Sequence, residues 1–230
     1  MKQSNIVIVS GASGGIGEAL LTQLHPKYRV IALSRSMPKT ENFAEHIAID
    51  FADERHSGWN RISDIGSKQP IYALIHLAGF LGERVPIIDQ NISTWMHAFM
   101  INVHSTLRLT QCCWNGLNMV EDGRCMITTS GAARGDQSNI GAYGVTKATL
   151  EKMAQSLVCE IKNNSPKIVL FSPGPTATKM RAEVCPNENQ NLISSASSVA
   201  SLIVEKVLEQ PVVQGSFIDA AKILNARARD

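Results

Sequence analysis

The sequence predicts an α/β protein built on a doubly wound parallel sheet of about seven strands, with helices on both faces. Three observations carry this expectation. Short runs rich in Val and Ile recur along the chain, separated by longer segments with helical periodicity. These runs are continuously apolar rather than alternating, as strands buried on both faces must be. The first of them runs straight into a glycine cluster, SGASGGIG at 10–17.

Each element can be justified in order. Residues 5–10, NIVIVS, are a strand closed by glycine. Residues 15–25 place Ile16, Leu20, Leu21 and Leu24 on one helical face. YRVIALS at 28–34 and HIAID at 46–50 are the second and third strands. Residues 53–68 are polar, with Trp59, Ile62 and Ile65 at helical spacing, which predicts an exposed helix. IYALIHLAG at 71–79 is a fourth strand, and a long helical pattern runs from about Thr94 to Leu117. RCMITTS at 124–130 is the fifth strand. The helix after it, 141–162, has Leu150, Met153, Leu157 and Ile161 on its apolar face. KIVLFS at 167–172 is the sixth strand, stopped by PGP; a helix near 197–209 and a short strand, SFIDA at 216–220, complete the set. No repeat, low-complexity segment or linker interrupts the pattern. The expectation is one domain over 1–230, with cofactor-binding elements in 1–125 and catalytic and substrate-binding elements in 126–230.

Composition narrows the function classes. The chain has 230 residues, 44% hydrophobic and 18% charged, enough to bury a sizeable core. A net charge of +2 with no long basic run argues against a nucleic-acid footprint, and NARARD at 225–230 reads as a solvated terminus. The five cysteines (112, 113, 125, 159, 185) are odd in number and form no C-x-x-C pair. That argues against a disulfide framework and a zinc site, and fits a reducing compartment. The histidines at 25, 46, 56, 97 and 104 show no metal-ligand pattern. The N-terminal apolar run is too short for a signal peptide, and no stretch approaches the roughly eighteen apolar residues of a membrane span. A cytoplasmic protein without metal, nucleic-acid or membrane partner is expected.

In a doubly wound sheet a ligand sits outside the carboxyl ends of the strands. Gly11, Gly15 and Gly17, with Ser13 and Ile16 between them, stand there at the first strand-to-helix turn. Such a turn lets the backbone approach a diphosphate and aims a helix N-terminus at it. At the end of the second strand an acid would hold ribose hydroxyls, whereas an arginine accommodates a 2′-phosphate. The chain has Ser34 and then Arg35, which favours NADP(H) over NAD(H).

Together with Asn102, Ser130, Tyr143, Lys147 and the SPGPTAT segment (172–178), these motifs resemble the short-chain dehydrogenase/reductase family over nearly the whole chain. The resemblance implies a Rossmann-type fold. It places Asp50 and Phe51 beside the adenine, Ala78 and Gly79 near the cofactor ribose, and Pro173 and Gly174 over the nicotinamide. The Thr176 backbone and Thr178 side chain would hold the carboxamide. Asn102 would anchor a water joining Lys147 to solvent, and the helices at 94–117 and 141–162 would pair subunits in a homodimer or homotetramer. Two departures stand out. His76-Leu77-Ala78-Gly79 replaces the family's N-N-A-G, so His76 is expected to substitute structurally for the lost asparagine. The frequent terminal glycine pair is absent after FIDA.

The chemistry follows from residue types. A phenol titrates near pH 10, and a nearby cation lowers that value. Positions i and i+4 share a helix face, so Lys147 can stand beside Tyr143. Taken singly, a tyrosine at a helix start is usually packed and a lysine at i+4 usually solvated. The thirteen-residue spacing from Ser130 to Tyr143 and the cofactor signals select proton transfer instead. Tyr143 would exchange a proton with a substrate oxygen that Ser130 also bonds. The G-x-S-x-G at Gly11, Ser13 and Gly15 follows the first strand and has no acid–histidine sequence downstream, which argues against a hydrolase elbow. Substrate walls should come from 80–87, 131–140 and 179–191, with Phe80, Leu81, Ile140 and Met180 apolar; Arg134 and Arg181 are candidate anion contacts, but loop arginines are more often solvated than ligating, so no carboxylate substrate is inferred. The expected function is an NADP(H)-dependent carbonyl reductase or secondary-alcohol dehydrogenase acting on a small carbonyl or alcohol substrate. The alternative, resting on HLAG alone, is a dinucleotide-binding signalling or redox-sensing protein with little turnover.

Overall fold

A computed structural model describes residues 5–135, 137–162 and 165–229. Asp136 of the 131–140 loop and Asp230 of the basic tail lie outside the described residues. In chain order the strands are β1 (Ile6–Ser10), β2 (Arg29–Ser34), β3 (Glu45–Ala48), β4 (Ala73–His76), β5 (Arg124–Thr128), β6 (Lys167–Ser172), β7 (Thr176–Ala177), β8 (Ser194–Ser195) and β9 (Ser216–Asp219). The helices are α1 (Gly15–Leu24), α2 (Gly58–Lys68), α3 (Ile92–Phe99), α4 (Ser105–Asn118), α5 (Gly141–Glu160), α6 (Lys179–Val184), α7 (Ala196–Ile203) and α8 (Ala220–Arg227).

Seven strands form one parallel sheet in the order β3-β2-β1-β4-β5-β6-β9. The order reverses between β1 and β4, so the carboxyl ends of these two strands open a crevice. Period-two geometry splits the strand residues between two cores. Ile8, Leu33, Leu74 and Ile127 pack under α2, α4 and α5 with Trp59, Leu109 and Leu150. Val7, Val9, Met126 and Phe171 pack under α1 and α7 with Leu20, Leu24 and Val199. The strands read as unbroken apolar runs because both faces are buried. No helix among the described residues is long and apolar enough to cross a membrane.

Helix α2 lies directly on α4. A Cβ added at Gly66 would stand 1.9 Å from the Cys112 carbonyl oxygen, so only glycine permits this approach. Gly66→Ala is expected to force the helices apart and destabilise the protein by about 1–3 kcal/mol, read as a lower midpoint in thermal unfolding.

Several boundaries differ from the sequence expectation, each for a local reason. Helix α2 starts at Gly58 rather than near residue 53, because the Asp50 and Asp53 carboxylates accept from the Ala52 and Arg55 amides and hold turns there. Strand β4 ends at His76 and β5 at Thr128, leaving Leu77–Gly79 and Ser130 beyond the strand ends. The long pattern near 94–117 is α3 and α4 joined by a π-type turn, Met100–His104, that carries Asn102. Helices α6 and α8 and the β7–β8 ribbon were not anticipated. They are too short or too polar for periodicity to mark them.

Candidate active site

A cleft of about 380 Å³ opens at the sheet's switch point. Its floor is the glycine turn. Gly11 has φ +70°, and a Cβ there would stand 2.6 Å from the Ala78 amide nitrogen; at Gly15 one would stand 2.8 Å from the Thr178 methyl carbon. The bare backbone thus brings β1, the segment after β4 and the start of α6 together around a space that fits a dinucleotide's diphosphate. Gly11, Ser13, Gly15, Ile16, Gly17, Arg35, Asp50, Phe51, Ala78, Gly79, Tyr143, Lys147, Pro173 and Thr178 all line the cleft. Gly174, Thr176, Asn102 and Ser130 are not among its lining residues. Gly174 makes a turn at φ +69°, and buried Thr176 bonds the Gly174 carbonyl at 3.1 Å.

At the β2 end Ser34 and Arg35 line the wall, with Arg35 exposed. The Ser34 hydroxyl donates to the Ser36 carbonyl at 2.8 Å and meets His46 Nε2 at 3.1 Å. Its single proton is therefore engaged within the protein, and among the described residues lining this end Arg35 is the cation.

Tyr143 and Lys147 stand on the first turns of α5. Lys147 is 3% exposed, its Nζ 2.9 Å from the Thr128 carbonyl and 5.5 Å from the Tyr143 ring centre. Burial without a carboxylate partner brings its pKa down to about 8. Tyr143 is half-buried. The sequence expectation that Lys147 lowers the tyrosine's pKa needs correction for this state: burial raises it, and the opposing contribution is a hydrogen bond with Ser130. The reason is geometric, since the ammonium is drawn to the Thr128 carbonyl. Ser130 Oγ accepts from the Ala132 amide at 3.2 Å, which leaves its one proton for the phenol oxygen.

Asn102 is clamped rather than free. Its Oδ1 accepts from the Phe80 amide at 2.7 Å, and its Nδ2 donates to the Phe80 carbonyl at 2.8 Å and to Thr146 Oγ1 at 2.9 Å. Thr146 in turn donates to the Tyr143 carbonyl at 2.8 Å. One side chain therefore ties the segment after β4 to the first turn of α5, which carries Tyr143. The π-type turn sets it facing both partners, a recurrent use of such turns at functional sites.

His76 occupies a buried position beside this clamp. Its Nε2 lies 3.1 Å from Thr110 Oγ1, which donates its only proton to the Thr106 carbonyl at 2.8 Å. The histidine nitrogen must then be the donor, so His76 is the neutral Nε2–H tautomer. Burial, aided by the Lys147 charge, pushes its pKa down to about 3. It links β4 to α4, a structural bond where the family's asparagine is missing.

The two arginines weighed as anion contacts are taken up by partners within the protein. Arg134 pairs with Glu151 at 2.9 Å and lies over the Phe217 ring, while Arg181 makes a two-pronged pair with Glu188, both bonds 2.6 Å. Phe80 and Met180 do line the cleft; Leu81 and Ile140 do not. Sequence reasoning missed Thr128, Thr146, Ile101 and Lys179. Thr146, three residues after Tyr143, carried a helical-spacing signal. Thr128 acts through its carbonyl, which no side-chain pattern reveals.

Known proteins share this arrangement. The family model for short chain dehydrogenases matches residues 5–189, from β1 past Thr178. The oxidoreductase YciK of Escherichia coli strain K12 is 29% identical over 211 residues, covering 86% of this chain and 83% of its own. A chloroplast protein of Arabidopsis thaliana, named NADPH-dependent aldehyde reductase-like, is 26% identical over 200 residues, 76% of this chain and 73% of its own. A short chain dehydrogenase of Shigella flexneri 2a strain 301, crystallised with NADP, superposes with a TM-score of 0.82 at 26% identity, covering 95% of this chain and 97% of that one. With the match running from the glycine turn through the Ser–Tyr–Lys set, the chain belongs to the short-chain dehydrogenase family of oxidoreductases.

Proposed function

We propose that the protein is an NADP(H)-dependent carbonyl reductase or secondary-alcohol dehydrogenase. The observation that carries this reading is the convergence of Ser130, Tyr143 and Lys147 at one end of a cleft floored by glycine. The reduced dinucleotide, when bound, supplies a hydride to the carbonyl carbon and leaves oxidised. Tyr143 gives its proton to the carbonyl oxygen as the C=O π bond breaks, and takes one back in the oxidative direction. Ser130 bonds the same oxygen and stabilises its developing charge.

Lys147, 5.5 Å from the Tyr143 ring centre, keeps a positive charge by the phenol and would help hold the cofactor ribose. Asn102 positions both helix and loop. A water relaying protons from Lys147 would be anchored by Asn102, whose backbone carbonyl also accepts from Thr106 Oγ1. Exposed Met96, Leu107 and Val145 on α3, α4 and α5 support pairing of these helices in a homodimer or homotetramer.

Arg35 sets the cofactor preference in this reading. Arg35→Ala is expected to weaken NADPH binding about 10- to 100-fold and leave NADH binding within about twofold, as measured by fluorescence titration. The function itself is tested by following nicotinamide absorbance across aldehydes and ketones. Tight NADPH binding without turnover of any of them would favour a sensing protein instead.

A further inference from the structure

Ser130 and Tyr143 come from two elements, the end of β5 and the start of α5, joined by the segment 131–140. Both must reach one substrate oxygen, and a misplacement of about 1 Å at a reacting centre can cost about 100-fold in rate. The placement of the serine therefore needs an anchor on the helix that carries the phenol.

Tyr143, Lys147 and Glu151 follow one another at intervals of four on α5 and share a helix face. The first two line the cleft and Glu151 does not. The Glu151 side chain is only 13% exposed, and each of its oxygens takes a bond from a different part of the chain. Oε1 accepts from Thr129 Oγ1 at 2.7 Å, and Oε2 accepts from Arg134 Nε at 2.9 Å. Bonds to a carboxylate are stronger than those between neutral groups.

The two donors flank Ser130. Thr129 directly precedes it, is fully buried, and donates its amide to the Phe171 carbonyl of β6 at 2.9 Å. Arg134 follows it by four residues and lies over the Phe217 ring of β9, 3.9 Å from the ring centre. Between them the chain presses on the same helix: a Cβ added at Gly144, next to Tyr143, would stand 2.9 Å from the Ala132 carbonyl oxygen. Ala132 in turn donates its amide to Ser130 Oγ. A shift of Thr129 or Arg134 would thus move the serine hydroxyl relative to the phenol.

We propose that Glu151 is a positioning residue for Ser130. Through Thr129 and Arg134 it sets the serine hydroxyl at the distance from Tyr143 at which both reach the substrate oxygen. This inference rests on the functional reading above and adds a residue to it.

A double-mutant cycle tests it, run on the full-length protein with NADPH. The substrate is the fastest-reduced member of an aldehyde and ketone panel that includes benzaldehyde and cyclohexanone. Glu151→Ala is expected to lower kcat about 10- to 100-fold while the NADPH dissociation constant stays within about twofold. Ser130→Ala removes the group that Glu151 positions, so adding Glu151→Ala to it should lower kcat by no more than about twofold further. Thr129→Val cuts the bond from the strand side and should behave in the cycle as Glu151→Ala does, which closes the cycle if the alanine variant does not fold. A kcat within about twofold of wild type, a loss confined to NADPH affinity, or a loss undiminished on the Ser130→Ala background would overturn the inference and leave the reductase reading intact. An unchanged kcat in Ser130→Ala alone, or no turnover of the panel by the wild type with NADPH bound, would overturn the functional reading and this inference with it.

Discussion

Tyr143→Phe is expected to lower carbonyl reduction by about 10²- to 10⁴-fold while NADPH binding stays within about twofold. The phenylalanine keeps the ring, its place in the cleft and its packing above Lys147, and it removes only the oxygen. What is lost is the proton donor to the substrate oxygen and the partner of the Ser130 hydroxyl. The lesion should therefore fall on kcat, because the missing contact matters most as charge develops on that oxygen. Steady-state kinetics and a separate cofactor titration distinguish this outcome from a binding defect. Full activity in the variant would remove Tyr143 from the mechanism.

Lys147→Met should do two opposite things: reduce turnover at least about 100-fold and make the protein more stable. A buried ammonium whose pKa has fallen to about 8 from an ordinary 10.5 costs about 3 kcal/mol of folding free energy. Methionine has nearly the same shape and no charge. It forfeits the bond to the Thr128 carbonyl, worth about 1 kcal/mol, so a net gain of about 1–3 kcal/mol remains in urea unfolding.

The sign of the pH dependence follows. Between about pH 8 and 10.5 the unfolded chain holds this proton more tightly than the folded one, so wild-type stability gains from rising pH across that window. Below pH 8 the penalty is fully present. The advantage of the methionine variant should accordingly be largest at neutral pH and shrink toward pH 10.5. In the wild type, reductive turnover should fall as pH rises through about 8 and the charge beside Tyr143 is lost.

Much of the candidate site could be proposed from residue type and spacing. Ser130, Tyr143 and Lys147 were readable from intervals in one segment, and the glycine turn from its place after the first strand. Ser34 and Arg35 were readable because the end of β2 is a position with a defined task. Whether Arg134 and Arg181 meet an anion or another partner stayed open in the sequence, because their partners, Glu151 and Glu188, are 17 and 7 residues away. No spacing rule distinguishes an arginine facing a substrate from one turned to a neighbouring acid. The role of Asn102 was visible only as a resemblance, and its full set of bonds to Phe80 and Thr146 depends on a π-type turn inside what reads as an ordinary helix.

The sequence by itself determined the layer architecture and the family, and it carries the residues from which Tyr143 is proposed as proton donor. Hydrophobic periodicity, glycine placement and catalytic spacing are local properties that the chain carries without its fold. Only the tertiary structure decided the burial of Lys147 and His76 and the partners that reach them. These depend on contacts made across β4, α4 and α5. Lys147 is the plainest case: a lysine four residues after a tyrosine is a matter of sequence, but its lowered pKa exists because the folded sheet and helices close around it and offer a carbonyl instead of a carboxylate.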